Sequence, residues 1–328
     1  MSYRVSVVVP TYKRPELLVR CLNALAGQDI DPACYEVIVV DDAACEETRQ
    51  LVEGMARHLL ASCGLCLRYI AVSGQHGHGP AVARNTGWRA ARGEIIAFTD
   101  DDCIPQPDWL RTGATAFVEG VTGVSGKVIV PLPEQPTDYE RNAARLAYSE
   151  FVTANCFYRR SALAAVGGFD ERFTMAWRED SDLFFRLLNE QGKLLSVSSA
   201  TVVHPLRPAH WGISLSQQRK SMFNALLYKK HPLLYQRKIQ ATPPWHYYGI
   251  VASVLLAISG LLLGVPLVML GASSAWALLT SWFCLLRLRH TSHLPRHVVE
   301  MIVTSLLIPP LAIYWRIVGA LKFRVLFF

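Results

Sequence analysis

Residues 93–110 of the chain read GEIIAFTDDDCIPQPDWL, and this stretch decides the fold. The apolar run over residues 94–99 predicts a short strand that is covered on both faces, as in a parallel sheet. The run leads directly into three consecutive acids, Asp100, Asp101 and Asp102. A buried strand that ends in carboxylates predicts an α/β sheet with its functional groups at the carboxyl edge.

The segments around this strand alternate between strand-like and helix-like patterns. We predict strands at residues 4–9, 36–40, 67–72 and 94–99. We predict helices at residues 15–26, 46–60, 80–91, 138–151 and 177–189, and a pair of strands at 194–204. This order predicts an α/β domain over residues 1–210, with a mostly parallel sheet and helices on both of its faces.

A second acidic pair, Asp41 and Asp42, follows the strand predicted at residues 36–40. The carboxyl ends of parallel strands meet at one edge, so this pair and the later acids should lie close together. Either cluster alone could cap the next helix, but two clusters on one edge favour a shared ligand. Such carboxylates suit a Mg²⁺ or Mn²⁺ ion that carries a diphosphate. The sequence has no GxxxxGK[ST] loop, which argues against P-loop phosphoryl transfer.

The C-terminal part of the sequence predicts a membrane domain over residues 247–328. Residues 247–286 contain no charged side chain, and this length corresponds to about two crossings of roughly 20 residues each. We predict spans at 247–263 and 265–286, and a third membrane-associated segment at 298–318. A full crossing by the third segment would carry Arg316, Lys322 and Arg324 to the far side, so a re-entrant or surface-lying segment is favoured.

Charge is distributed unevenly along the chain. The chain carries 33 Lys and Arg against 26 Asp and Glu, but beyond residue 246 six basic residues accompany a single acid, Glu300. The rest is close to balance, which disfavours nucleic-acid binding. Residues 211–246 are basic, and an amphipathic helix at 214–228 predicts a segment at the surface of membrane lipids, with a helix packed on a soluble core as the alternative. With no signal-peptide core near the N-terminus, we expect a bacterial-type inner membrane protein with a cytoplasmic catalytic domain.

Six segments, taken together, resemble one known family. In order, over about the first 205 residues, they are VSVVVPTYKRPELLVRCLNAL, VIVVDDA, GPAVARNTG, GEIIAFTDDDCIPQPDWL, GGFDERF and REDSDLFFRL. This combination resembles the family 2 glycosyltransferases, which have a GT-A fold. The resemblance implies a nucleotide-sugar donor, with UDP as the default, and a divalent cofactor, Mn²⁺ or Mg²⁺. The predicted membrane helices, which would tie the catalytic domain to the membrane, favour an acceptor that is lipid-linked or a membrane-presented glycan.

The resemblance further implies roles for individual residues. The residues expected to bind the nucleotide sugar are Pro10, Thr11, Tyr12, Arg14, Asp41, Asp42, Arg84, Asn85, Asp100 and Asp101. The residues expected to hold the metal are Asp100, Asp102 and His204, although His204 could equally be a structural histidine. Glu179 and Asp180 are the expected catalytic acids, with Asp180 as the general base of a single inverting displacement.

Two alternatives remain open at this point. Processive synthases of this family carry a Gln-x-x-Arg-Trp motif, and Gln217-Gln218-Arg219-Lys220-Ser221 lacks its Arg-Trp ending, so transfer of a single sugar is favoured. An inactive membrane scaffold of the same fold is the other alternative. Intact acids at all three expected places argue against it.

Overall fold

The computed structural model describes residues 4–73, 77–190 and 192–327. These residues form two compact units. The first unit comprises the residues up to Pro131 together with Arg145–Leu206, and the second comprises Leu132–Ala144 and the residues from Arg207 onward. Residues 132–144, which the sequence pattern assigns to the first domain, therefore cluster with the C-terminal helices.

The first unit is built on an eight-stranded sheet. Its strands are β1 Val5–Thr11, β2 Tyr35–Asp41, β3 Cys66–Ala71, β4 Ile95–Phe98, β5 Ile104–Pro105, β6 Val121–Ile129, β7 Cys156–Arg159 and β8 Lys193–Val203, in the order β3-β2-β1-β4-β7-β6-β8-β5. The first four strands run parallel, whereas β7 is antiparallel to both of its neighbours. The predicted parallel sheet is confirmed in this half. The predicted strand pair at 194–204 is wrong, because these residues form the single strand β8 that pairs with β6 and β5.

The helices follow the same alternation. They are α1 Pro15–Ala26, α2 Glu46–Cys63, α3 Pro80–Ala90, α4 Trp109–Thr115, α5 Asp138–Ala143, α6 Arg160–Ala165, α7 Glu179–Asn189, α8 Ile213–Gln217, α9 Phe223–Lys230, α10 Pro232–Lys238, α11 Trp245–Leu262, α12 Pro266–Leu288 and α13 Pro295–Phe323. The first three coincide with the predicted helices to within three residues. The helix predicted at 138–151 is shorter, because α5 gives way to a 3-10 turn over Ala144–Tyr148.

Strand β1 lies between β2 and β4 and places their carboxyl ends side by side. Thr11 is in register with Asp41 of β2, and Val8 is in register with Phe98 of β4. Every residue of β2 and β4 is buried, as expected for strands covered on both faces. The chain adds β2 and β3 on one side of β1 and then returns to place β4 on the other side. In open α/β sheets, ligands bind at the point where the order of strands changes side in this way.

In the second unit, the predicted amphipathic helix at 214–228 is broken. The helices α8 and α9 are separated by a 3-10 turn over Gln218–Met222. The apolar side chains of this stretch are buried inside the unit, among them Met222, Phe223 and Leu227. The apolar face of this stretch is therefore packed on protein, as in the alternative of a helix packed on a core. The position of the stretch at a membrane surface stays a prediction.

Three helices of the second unit, α11, α12 and α13, are long and apolar enough to cross a membrane. The first two match the predicted spans closely. Helix α13 is longer than the predicted segment and runs without a break through Pro309 and Pro310. Because α13 is continuous, it contains no re-entrant turn. The re-entrant arrangement was one of the two that the sequence favoured over a full crossing.

Helix α3 approaches the sheet closely at Gly87, and this contact gives a test of the packing. A Cβ added at Gly87 would lie 2.4 Å from Val8 Cγ1 and 3.0 Å from Val40 Cγ2. We expect Gly87→Ala to force α3 away from β1 and β2 and to lower the free energy of unfolding by about 1–3 kcal/mol. The melting temperature of the detergent-solubilised protein measures this effect.

Gly54→Ala in α2 is the matched control. A Cβ at Gly54 meets no atom within 4 Å, so the change should stabilise the helix by about 0.5–1 kcal/mol. Equal melting temperatures for Gly87→Ala and the wild type would contradict the close packing of α3.

Candidate active site

The three acids that follow β4 have three different environments. The side chain of Asp100 is 27% exposed, whereas those of Asp101 and Asp102 are 3% and 2% exposed. Consecutive side chains in a turn point in different directions, so one sequence cluster supplies groups to several partners. Each of the three acids therefore has to be assigned from its own contacts.

Asp101 joins the end of β4 to the end of β1. Its carboxylate accepts hydrogen bonds from Thr11 Oγ1 at 2.8 Å and from Arg14 Nη1 at 3.3 Å. Burial raises the pKa of Asp101, and Arg14 and Thr11 oppose this rise. Asp101 is thus paired inside the protein, and its predicted contact with the nucleotide stays a prediction. The Arg14 side chain beside it is 39% exposed.

The residues at the end of β1 divide into buried and exposed ones. Thr11 is buried and Pro10 is half-buried, whereas the Tyr12 side chain projects from the fold and is 51% exposed. Tyr12 and Arg14, together with the exposed Lys13 between them, are therefore groups of this segment that a ligand at the sheet edge can reach. An exposed aromatic ring beside a cation is suited to a base and a phosphate.

Asp41 and Asp42 divide in a similar way. Asp41 is fully buried and accepts hydrogen bonds from the N–H groups of Ala43 and Cys45 and from the Tyr69 hydroxyl. These contacts hold the turn before α2, and the predicted contact of Asp41 with the nucleotide stays a prediction. Asp42, in the same turn, is less buried, with 13% of its side chain exposed, and its Oδ2 accepts a hydrogen bond from the Gly79 N–H at 2.9 Å.

Arg84 of α3 lies between two acids that are far apart in the sequence. Its Nη2 donates to Asp100 Oδ1 at 2.7 Å, and its Nη1 donates to Glu179 Oε1 at 3.0 Å. The Arg84 and Glu179 side chains are each only 4% exposed. The guanidinium that was expected to hold a diphosphate is thus committed to protein carboxylates, and it connects the end of β4 to the start of α7.

Asn85 fixes the loop that carries the GGFDERF segment. Its Oδ1 accepts from the Phe169 N–H at 2.8 Å, and its Nδ2 donates to the Phe169 carbonyl at 2.8 Å and to Glu171 Oε1 at 2.7 Å. Gly168 has φ +76, and a Cβ there would lie 2.5 Å from Asn85 Oδ1, so both the backbone and the space require glycine. Asn85 is 1% exposed and holds this loop, and its predicted contact with the nucleotide sugar stays a prediction.

Glu179 and Asp180 open helix α7 and differ in exposure. Glu179 is buried, and burial together with neighbouring Asp180 raises its pKa to about 7, although Arg84 opposes the rise. Asp180 is only half-buried, and its Oδ1 accepts from the Ser181 N–H at 2.6 Å. The N-terminus of a helix stabilises negative charge, which supports a pair of acids here. Asp180 is therefore the member of the pair that an acceptor can approach.

Asp102 faces His204, which follows β8. His204 Nε2 lies 3.5 Å from Asp102 Oδ1, and ligand atoms of Asp102, Cys103 and His204 all lie within 4.8 Å of one another. Burial raises the pKa of the Cys103 thiol well above its ordinary value, and a thiolate is a soft ligand that Mn²⁺ and Mg²⁺ do not prefer, so Cys103 is the least suited of the three. A carboxylate and an imidazole remain, and this donor set fits a divalent ion such as Mn²⁺.

The structure therefore brings together part of the predicted site. Asp100, Arg84 and Glu179 form a connected chain, with Asp180 next to it, and Asp102 and His204 form a pair. Asp41, Asp101 and Asn85 are buried supports. Sequence reasoning missed the hydrogen bond from Thr11 to Asp101 and the one from Asn85 to Glu171. It also missed Cys103 in the metal-ligand cluster. Only Cys103 left a signal, because it follows Asp102 directly.

The sequence matches two related families over most of this region. It matches Glycosyl transferase family 2 over residues 6–178 and Glycosyl transferase family group 2 over residues 95–289. The chain belongs to glycosyl transferase family 2. The first match contains the acids after β2 and β4 and both residues of the α3 pair, Arg84 and Asn85, and it ends just before Glu179.

Individual relatives support this family assignment. Glycosyltransferase AglE of Haloferax volcanii is 33% identical over 175 residues, which are 50% of this chain and 55% of AglE. The pre-mycofactocin glycosyltransferase of Mycobacterium tuberculosis is 32% identical over 220 residues, which are 62% of this chain and 43% of the relative. The chain thus spans about half the length of these relatives.

Solved structures support the fold. A mannosyltransferase from Pyrobaculum calidifontis, solved with GDP-Man and Mn²⁺, aligns over 99% of this chain and 88% of its own, with a TM-score of 0.56 and 22% identity. Residues 1–349 of Staphylococcus aureus TarS, solved with UDP, align over 95% of this chain and 91% of that chain, with a TM-score of 0.50 and 19% identity. At these identities the likeness establishes the GT-A fold.

The raised pKa of Glu179 predicts how stability depends on pH. Between its ordinary 4.5 and about 7, the folded protein binds a proton at Glu179 that the unfolded chain has lost. The free energy of unfolding should therefore fall as the pH rises through this window, by up to about 3 kcal/mol, and be independent of this group above it. Glu179→Gln removes the titration and should flatten the dependence, as measured by melting temperature from about pH 5 to pH 8.

Glu94→Gln is the control for this experiment, because the Glu94 side chain is 72% exposed. It should keep the pH dependence of the wild type. An unchanged pH dependence in Glu179→Gln would mean that the Glu179 proton is not held in the folded state.

Proposed function

We propose that the protein transfers a sugar from a nucleoside-diphosphate sugar to a lipid-linked or membrane-presented glycan acceptor, with inversion at the anomeric carbon. The observation that carries this proposal is the connected chain Asp100–Arg84–Glu179, with Asp180 beside it, at the carboxyl edge of the sheet. This chain links the acids on the donor side of the site to the acids on the acceptor side. A single displacement needs the donor-side acids and the acceptor-side acids in one place.

The donor half of the site is the edge formed by β1, β2 and β4. Tyr12 and Arg14 are accessible there, and Asp42 is 13% exposed beside them. Tyr12 and Asp42 would contact the base, and Arg14 would contact the phosphates. Asp100, Asp102 and His204 would hold the divalent ion, with Mn²⁺ favoured by the imidazole ligand. When bound, the ion supplies positive charge that stabilises the departing nucleoside diphosphate.

The acceptor half of the site is the start of α7. Asp180 would accept the proton of the acceptor hydroxyl as the oxygen attacks the anomeric carbon. The Ser181 N–H, 2.6 Å from Asp180 Oδ1, holds the carboxylate in place, and Ser181 Oγ lies 3.2 Å from the same oxygen. Glu179 is turned to Arg84 and would act by keeping Arg84 in place, so the two acids have separate tasks.

The identity of the base in the donor is a separate part of the proposal. UDP is proposed because the residues at the end of β1 resemble those of uridine-binding members of the family. The relatives with known structures were solved with GDP-Man in one case and UDP in another. A panel of UDP-, GDP- and dTDP-sugars therefore belongs in the first assay.

The membrane location rests on the three long apolar helices of the second unit. We propose that they anchor the enzyme to the inner membrane with the catalytic unit on the cytoplasmic side, where nucleotide sugars are present. The cations outside the apolar helices agree with this orientation. An enzyme placed in this way meets acceptors that carry a lipid anchor.

Asp180→Asn tests the assignment of the base. We expect turnover to fall by about 10²–10⁴-fold, because the acceptor hydroxyl loses its proton acceptor, while the affinity for the donor is unchanged. The measurement is metal-dependent release of nucleotide from the donor panel by solubilised enzyme, with membrane lipid extract as acceptor, alongside titration of donor binding.

Two further variants make this test specific. Asp102→Asn should instead weaken Mn²⁺-dependent nucleotide binding, and Asp108→Asn, an exposed acid at the start of α4, should behave like the wild type. Turnover like that of the wild type in Asp180→Asn would contradict the assignment. Product chains of many sugars would favour the processive alternative, and the absence of any donor binding would favour the inactive scaffold.

A further inference from the structure

Helix α13 has the length of a membrane span, but its contacts differ from those of a third span. The helices α11 and α12 form a hairpin whose tip is the connection Leu263–Val265 and whose base is formed by Trp245 and Leu288. At the tip, Leu262, Leu263 and Leu267 are 79%, 77% and 83% exposed. A third span would be expected to pack along the hairpin from base to tip.

The base of the hairpin is marked by a buried polar cluster. Arg287, in the last turn of α12, is paired with Asp138 of α5 at 2.8 Å. Its Nη1 also donates to Thr304 Oγ1 at 2.7 Å and to Ser305 Oγ at 3.1 Å. A buried ion pair with these hydrogen bonds belongs to the polar side of an interface and not to the interior of a bilayer.

The N-terminal part of α13 also lies beside the polar cluster at the hairpin base. His297 Nε2 accepts a hydrogen bond from the Asp138 N–H, and Glu300 Oε1 accepts one from the Gly212 N–H at 2.7 Å. The middle of α13 contacts the hairpin only a little further from its base towards its tip. Ile308 packs against Ile250 and Phe283, which lie five residues from the two ends of the hairpin base.

The C-terminal part of α13 contacts residues that precede α11, and Arg316 Nη1 donates to Gln240 Oε1 at 3.4 Å, five residues before Trp245. The Phe323 carbonyl accepts a hydrogen bond from Lys229 Nζ at 2.7 Å, and a Cβ at Gly319 would lie 2.4 Å from the Met222 carbonyl oxygen. Both partners belong to the α8–α9 stretch that precedes α11. From Ile308 to Phe323 a helix rises about 22 Å, so a helix that crossed would carry Phe323 far from this stretch.

The two faces of α13 fit a position in the plane of the membrane. One face is buried against α8, α9 and the turn between them, and the other is exposed and apolar, with Val299, Ile302, Leu306, Ile317 and Leu321. The buried face contacts a basic stretch, since Arg219 lies over the Trp315 ring at 5.8 Å. A crossing α13 would draw Arg219, Lys220 and Lys229 into the bilayer, where each cation is strongly unfavourable.

We propose that α13 lies in the membrane plane at the hairpin base, with its exposed apolar face on the acyl chains of membrane lipids. Only α11 and α12 then cross. The cations at the end of α13, Lys322 and Arg324, stay on the side from which the chain enters α11, beside the anionic headgroups that they attract. The hairpin also exposes large apolar side chains, Leu255 and Leu285 among them, which supports lipid as the common partner of the three helices.

The test is the labelling of introduced cysteines by a membrane-impermeant maleimide, in the whole chain with the exposed Cys63 and the half-buried Cys34, Cys45, Cys66 and Cys284 replaced by Ser, so that only buried native cysteines remain. Leu326→Cys reports the end of the chain, Leu233→Cys in α10 reports the hairpin base, and Leu263→Cys reports the tip. All three side chains are exposed, at 81%, 68% and 77%. Labelling is measured in sealed right-side-out and inverted vesicles and is divided by labelling after permeabilisation with detergent.

The proposal requires Cys at 326 to be labelled several-fold more from the same side as Cys at 233, and Cys at 263 from the opposite side. Labelling of positions 326 and 263 from one side would show that α13 crosses and would overturn the proposal. The readout needs no turnover, so it is independent of the proposed sugar transfer.

Discussion

The active site depends on one buried guanidinium. Arg84 lies between Asp100 at the end of β4 and Glu179 at the start of α7, at 2.7 Å and 3.0 Å, and no other cation is described in contact with both. Two carboxylates brought this close would repel each other in a low-dielectric site without it. Removing one partner of such a buried ion pair leaves an uncompensated charge, which is strongly unfavourable. The geometry of the donor acids and the acceptor acids is therefore set together.

This constraint explains why the neighbouring residues serve as supports. Asn85, next to Arg84 on α3, holds the loop at Phe169 that leads towards α7. Gly87, one turn further, lets α3 lie against β1 and β2, so the height of Arg84 above the sheet is fixed. Asp101 joins β4 to β1 through Thr11. The buried supports thus position the exposed groups that a ligand can reach.

The sequence was sufficient to predict the parallel half of the sheet, because continuous apolar runs and acids at strand ends are local signals. It did not predict which acid faces which partner. Asp100, Asp101 and Asp102 are adjacent in sequence, and their directions depend on a turn without periodicity and on side chains as distant as Glu179 and His204. The bonds of Asn85 to a loop more than 80 residues away left no local pattern either.

A similar limit applies to the second unit. Hydropathy located α11 and α12 because lipid-facing helices need only length and apolar composition. The 214–228 stretch was predicted as one amphipathic helix, but its apolar side chains are buried within the unit and Gly319 of α13 admits the Met222 backbone. Periodicity shows that a face is apolar, and it does not show whether protein or lipid covers that face.

The most direct measurement of the central claim is Mn²⁺-dependent nucleotide affinity and turnover in Arg84 variants. Arg84→Gln should lose both, because Asp100 and Glu179 lose their common partner, whereas Arg84→Lys should keep the fold and part of the affinity. Arg89→Gln, on the same helix with a 55% exposed side chain, should match the wild type. Wild-type affinity and turnover in a folded Arg84→Gln would contradict the account.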